Sequence, residues 1–139
     1  MTGIDISAVE RRKGCHMKPA DLIATLGDRL KIEDLVLSEQ GVCSVFFDDD
    51  EVVFECNDDR LFIFAEIGSA QGRQDLYLEL MQANHLGLGA AYGSIGLDVN
   101  KESFTQTRVF EGDITYGLFE KRVADFIIAL RYWKRYLEG

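Results

Sequence analysis

The chain has 139 residues, 47% of them apolar and 28% charged, and a formal net charge of −9. That length suits one domain around one core, and the apolar fraction excludes a chain that stays disordered. The acidic balance argues against a nucleic-acid partner and against an anionic membrane surface, since both call for clustered Lys and Arg.

Residues 1–18 show little periodicity, carry Arg11, Arg12 and Lys13 together, and end at Met17-Lys18-Pro19. They read as an extension outside the fold, with Met17 as a workable start and a single domain over 19–139. From Pro19 onward Leu22, Ile23, Leu26 and Leu30 recur at helical spacing, and proline suits a first helical turn because its missing N–H costs nothing there. Gly27 weakens this first helix, so packing against another element is expected to hold it.

Three strand-like runs follow, "VCSVFF" (42–47), "EVVFEC" (51–56) and "RLFIFAEI" (60–67), separated by the acidic links "DDD" and "NDD". Short polar links of this kind predict tight hairpins and an antiparallel meander. Alternation puts Leu61, Ile63, Ala65 and Ile67 on one face of the third strand, and Phe62 and Phe64 on the other. Both faces are apolar, so both are covered or one of them binds something.

A second helix is predicted over 74–86, where Leu76, Leu80 and Ala83 share a face with Tyr77 and Met81 beside them. That stripe is wider than one packing partner needs. "SIGLDVN" and "SFTQTRVF" read as two more strands about a turn at Asn100-Lys101-Glu102, and Phe119, Val123, Phe126, Ile127, Leu130, Trp133 and Leu137 mark a long final helix. The order is helix, three strands, helix, two strands, helix (αβββαββα), an α+β domain.

The run "ANHLGLGAAYGSIGL" (83–97) has the glycine density of a phosphate-binding loop but the wrong context. Gly87, Gly89, Gly93 and Gly96 follow a helix and precede a strand, whereas a phosphate loop runs from strand to helix, and no GK[ST] is present. It reads as a helix C-cap and a connector. The acidic tract Asp48-Asp49-Asp50-Glu51 lacks the ligand spacing and internal glycine of a calcium loop, so it reads as a solvated hairpin turn.

Catalytic pairings are no better supported. Cys15-His16 lies in the extension, and His85 ends a helix, where the dipole favours an imidazolium. Cys15, Cys43 and Cys56 form no CxxC pair, only two histidines accompany them, and neither zinc nor a cofactor is expected. Cys43 and Cys56 fall in apolar strands as free thiols do in a reducing compartment. No apolar run approaches the roughly 20 residues that span a bilayer, and the N-terminus has no signal-peptide core. The expectation is a cytoplasmic protein that is not an enzyme and whose surplus apolar surface binds other chains.

Several strings in this order resemble the class I chaperones of bacterial type III secretion, the family of the Tir and YopE chaperones. They are "LIATLGDRLKI", "LVLSEQGVCSVFFDDD", "LFIFAEIG", "LYLELMQANHL" with the glycine loop and "IGLDVN", and the terminal "ALRYWKRYLE", together covering about residues 19–137. The resemblance implies a homodimer in the cytoplasm of a Gram-negative bacterium. It implies effector proteins as partners, bound through their N-terminal region in extended form, and the export ATPase of the secretion apparatus as a further one. It implies no catalysis.

On this basis the dimer interface is expected on Leu76, Tyr77, Leu80, Met81 and Ala83 of the second helix with Ile95 and Leu97 of the strand after it. The effector-binding surface is expected at Leu22, Leu26 and Leu30, with Leu35, Leu37, Phe46 and Phe62 from the strand region. The competing reading is a non-catalytic adaptor or regulatory module that recognises a folded partner.

Overall fold

The two acidic links fold as two-residue hairpin turns, and they set the register of the sheet. In the computed structural model, which describes residues 16–111 and 114–139, Phe47 pairs with Asp50 across Asp48-Asp49 and Asn57 with Arg60 across Asp58-Asp59. Asp48 (φ 58°) and Asp58 (φ 57°) are left-handed, a conformation aspartate tolerates because its short side chain bonds locally.

In chain order the elements are β1 (His16–Met17), α1 (Pro19–Leu30), β2 (Val42–Phe47), β3 (Asp50–Asn57) and β4 (Arg60–Ser69), then α2 (Tyr77–Asn84), β5 (Ser94–Asp98), β6 (Ser103–Glu111), β7 (Ile114–Thr115) and α3 (Tyr116–Glu138). Five strands make one antiparallel sheet in the order β2-β3-β4-β6-β5. The α+β order read from the sequence is the order of the fold.

Two boundaries move. Residues 16–18 belong to the domain and not to an extension, because β1 pairs with β7 and Met17 is buried in the core; a two-residue strand has no period to read. Residues 1–15 lie outside the described residues. The helix expected over 74–86 is α2 between two single 3₁₀ turns, Gln74–Leu76 and His85–Gly87, with Leu86 left-handed.

One face of the sheet is covered and the other is open. Val45, Val52, Phe54, Leu61, Ile63, Ala65, Phe104 and Phe110 are buried with the inner stripe of α3, which is Tyr116, Phe119, Val123, Phe126, Ile127, Leu130 and Trp133. Gln106, fully buried on β6, donates from Nε2 to the Phe126 carbonyl at 2.8 Å. Val53, Phe62 and Phe64 point the other way, half-buried, and Val109 with them is exposed.

α1 ends where a left-handed Lys31 (φ 59°) turns the chain and the Ile32 N–H donates back to the Gly27 carbonyl at 2.9 Å. The returning segment folds over the helix, and Gly27 is the point of closest approach. A Cβ placed on Gly27 would stand 2.8 Å from Leu35 Cβ, closer than two carbons pack, so the glycine is there to admit Leu35.

The β2–β3 hairpin is clamped to α3 by charge. Asp50 accepts from Arg131 Nε at 2.8 Å and Lys134 Nζ at 2.7 Å, while Arg131 Nη2 donates to the Phe47 carbonyl at 3.1 Å and to Asp48 at 3.0 Å. The tract read as a solvated turn is therefore half structural. Burial pushes the Asp50 carboxyl up, but the hydrogen bonds and charges of Lys134 and Arg131 outweigh it and hold the pKa below its ordinary value. The same contacts, led by the Asp50 hydrogen bond, raise the Arg131 pKa.

Two outcomes follow from this packing. Gly27→Ala improves helix propensity yet forces Leu35 outward, and urea denaturation should record a net loss of about 1–2 kcal/mol, the overpacking cost exceeding the propensity gain. Because the Asp50 pKa is depressed on folding, its stabilisation is fully present above the ordinary carboxylate pKa and is lost as pH falls through the folded value. Wild type should accordingly be more stable than Asp50→Asn at pH 7, with the difference shrinking below about pH 4, the ordinary aspartate range; a difference that holds constant down to pH 2.5 would show that the Asp50 charge contributes nothing to the clamp.

Candidate functional site

Exposed apolar side chains gather at each edge of the sheet. At the β2 edge, Leu30 and Ile32 from the end of α1, Phe46 and Phe47 from β2, and Ile127 and Ile128 from α3 line an open groove of about 530 Å³. Leu30 is 41% exposed, Phe46 64% and Ile128 67%. The left-handed turn at Lys31 aims Ile32 into the groove, and the Arg131–Asp48–Asp50 clamp fixes its far wall.

At the β5 edge, Tyr77, Leu80 and Met81 of α2 face Ile95 and Leu97 of β5 across a smaller apolar cleft floored by Phe104. Tyr77 and Phe104 meet edge to face, with centroids 6.1 Å apart. Met81 and Leu97 are exposed, whereas Leu80 and Ile95 are buried.

The two sheet edges differ chemically. On β5 the outward backbone groups of Ile95 are both taken by one side chain: Asn84 Nδ2 donates to the Ile95 carbonyl at 2.7 Å, and the Ile95 N–H donates to Asn84 Oδ1 at 2.6 Å. Asn84 thus stands in for a neighbouring strand. On β2 only Val42 is satisfied in this way, by Ser38. The outward N–H and C=O groups of Ser44 and Phe46 have no backbone partner among the described residues.

The residues expected to bind an effector are distributed unequally. Leu30 and Phe46 come together at the β2-edge groove. Leu22 and Leu26 are 1% and 3% exposed and support α1 from beneath, so they hold the groove's wall and do not face solvent. Leu35 and Leu37 are half-buried against the core, and Phe62 lies on the open face of the sheet. Of the residues expected at a dimer interface, Tyr77, Leu80, Met81, Ile95 and Leu97 share the β5-edge cleft, while Leu76 is buried and Ala83 sits beneath Gly89.

Sequence reasoning passed over Ile32, Ile128 and the Asp50 clamp. Ile128 had a readable signal: it stands one residue out of the α3 core stripe, an isoleucine on a face otherwise turned to water. Asn84 had none, because its partner is a backbone brought near only by the fold.

The glycine run is a pinned connector. Trp133 Nε1 donates to the Gly89 carbonyl at 2.8 Å and Arg108 Nη1 to the Ala91 carbonyl at 2.7 Å, while a Cβ on Gly93 would run into the Thr107 carbonyl. Arg108 lies under the loop, and its burial, with the nearby Arg122 charge, lowers its pKa. Among the described residues no three His, Cys, Asp or Glu side chains gather to hold a metal ion, and no helix is long and apolar enough to cross a membrane.

Comparison with known proteins places this fold. A chain of the ExsC–ExsE complex superposes with a TM-score of 0.72 at 21% identity, covering 86% of this chain and 96% of that one. A chain of the HopA1–SchA chaperone–effector complex gives 0.69 at 17% identity, over 96% and 99% of the two chains. The Yersinia pestis type III secretion chaperone SycH, in complex with a stable fragment of YscM2, gives 0.66 at 16% identity, over 82% and 98%. Among curated proteins, none matches by sequence. Residues 21–134, nearly all of the described domain, match the Tir chaperone protein (CesT) family, and the chain belongs to that family.

Proposed function

We propose that the chain is a cytoplasmic type III secretion chaperone that acts as a homodimer, catalyses no reaction, and holds the N-terminal region of one or more effectors in extended form for delivery to the export ATPase. The observation that carries this reading is the convergence of Leu30, Ile32, Phe46 and Ile128 on one exposed groove beside the unpaired backbone of β2. Membership of a chaperone family supports it, as do the chaperone–effector and secretion-chaperone complexes among its structural likenesses.

The physics suits an unfolded client. Ordering a flexible segment costs about 1–2 kcal/mol per residue of backbone entropy, so binding must combine apolar burial with strand pairing. The β2 edge offers both: an added strand bonds to Ser44 and Phe46, and its alternate side chains reach the groove. β5 cannot take the client in this way at Ile95, because Asn84 already occupies that backbone.

The β5-edge cleft suits a second copy of the chain. In an isologous interface the same patch of both copies is buried, so one substitution enters the interface twice. Leu80 is too buried to test this without unfolding the protein; the exposed Met81 is the better probe. Met81→Asp should halve the mass seen by light scattering and leave the far-UV circular dichroism intact, and a wild type already monomeric at micromolar concentration would refute the dimer.

For the client, Leu30→Asp should weaken capture of a co-expressed effector segment by about 1–3 kcal/mol, the range of an interface anchor. Hydrogen exchange on that segment should show it unprotected when free and protected along its length when bound. A segment already protected before binding would favour an adaptor that docks a folded partner.

A further inference from the structure

The sequence ahead of β1 carries the two features that the β2 edge calls for, an alternating apolar stretch and a cluster of positive charge. Within the otherwise aperiodic N-terminus, Ile4, Ile6 and Ala8 alternate with Asp5 and Ser7, the period of an extended strand with one apolar side. Arg11, Arg12 and Lys13 follow, the longest basic run in a chain whose net charge is −9.

The β2 edge is complementary to both features. The outward N–H and C=O groups of Ser44 and Phe46 have no backbone partner among the described residues, and Leu30, Phe46 and Ile128 expose apolar surface beside them. Asp48 and Asp50 pair with Arg131 and Lys134, so the charge left on the groove's rim is that of the exposed Glu33, Asp34, Asp49 and Glu51 against Lys31. Glu51 stands opposite Phe46 in the β2–β3 ladder, and Glu33 and Asp34 directly follow the lining residue Ile32. The rim is acidic.

We propose that residues 4–9 of this same chain add to the β2 edge in cis, with Ile4 and Ile6 in the groove and Arg11, Arg12 and Lys13 against its acidic rim, and that an effector displaces them. The inference rests on the reading of this groove as a seat for extended chain and names its resting occupant. Apolar burial and strand pairing fix the segment's place, and charge favours it more strongly at low salt.

The segment is long enough to arrive. β1 starts at His16, and from Pro19 to Leu30 α1 carries the chain about 17 Å along its axis at 1.5 Å per residue. Ten peptide steps separate Ile6 from His16, an extended reach of about 33 Å. A tether of this length holds the segment near the groove at about millimolar effective concentration. That keeps a weakly bound strand in place yet lets a tighter client replace it, and the same segment on a second copy at micromolar concentration competes poorly.

The test compares the full chain with its Ile4→Asp/Ile6→Asp variant, circular dichroism confirming the fold of each. Hydrogen exchange across β2 should be at least fivefold faster in the variant, with β4 and β6 unchanged. A fluorescein-labelled synthetic peptide of residues 1–13, followed by fluorescence anisotropy, should bind the variant three- to tenfold more tightly than the wild type, whose groove is already filled. Adding Leu30→Asp to the variant should remove that gain. If the peptide binds wild type and variant equally and Leu30→Asp weakens both, the cis contact is refuted and the groove still stands as a seat for extended chain. If Leu30→Asp changes neither this peptide nor capture of a co-expressed effector segment, the client-binding reading falls and the cis contact with it. Protection of β2 in the wild type that disappears on tenfold dilution would assign the seat to the N-terminus of a second copy and overturn the proposal.

Discussion

The seating of α3 on the sheet is the contact on which the rest of the molecule depends. Its inner stripe from Tyr116 to Trp133 covers the buried face, and Gln106 ties the middle of the helix to β6 by a hydrogen bond inside the core. A buried amide bonded to a helix carbonyl resists sliding, because a shift would leave the amide N–H without a partner in a medium that cannot solvate it. From that fixed axis the other attachments are made: Arg131 and Lys134 hold the β2–β3 hairpin, Trp133 holds the glycine loop, and the outer side of the helix becomes a wall of the β2-edge groove.

The same packing explains why apolar surface is left over. α3 covers one face of the sheet, so Phe62, Phe64 and Val109 on the other face depend on their own neighbours for cover. The surplus is placed at both edges of the sheet, and the edges are treated differently. Asn84 blocks β5 at Ile95, which prevents strand addition there, while β2 keeps open backbone next to the larger groove. One edge is thereby suited to side-chain packing with a folded surface and the other to pairing with an extended chain.

Some of this was legible in the residues. The acidic pairs Asp48-Asp49 and Asp58-Asp59 announced hairpins because aspartate accepts the left-handed turn, and the 3.6-residue stripe of α3 announced a helix with one buried side. Tyr77, Met81 and Leu97 were grouped from the wide apolar stripe of α2 and the strand after it, and the fold brings them to one cleft because α2 and β5 are consecutive along the chain. Leu22 and Leu26 show the limit: the stripe identifies which face of α1 is apolar, but an apolar face looks the same in sequence whether it meets a core or a client. The early start of the domain at His16 was invisible because β1 is defined by its partner strand alone.

What the sequence by itself determined is local: the order of helices and strands, the turns, and the surplus of apolar over buriable positions. Those depend on near neighbours, whose spacing is written directly in the chain. Only the tertiary structure decided which side chains stay exposed and where they meet. Leu30, Phe46 and Ile128 lie far apart in sequence and share one groove because α3 returns across the sheet to the β2 edge. The role of Gly27 was settled in the same way, since the Leu35 that needs its empty space arrives only when the chain turns back over α1.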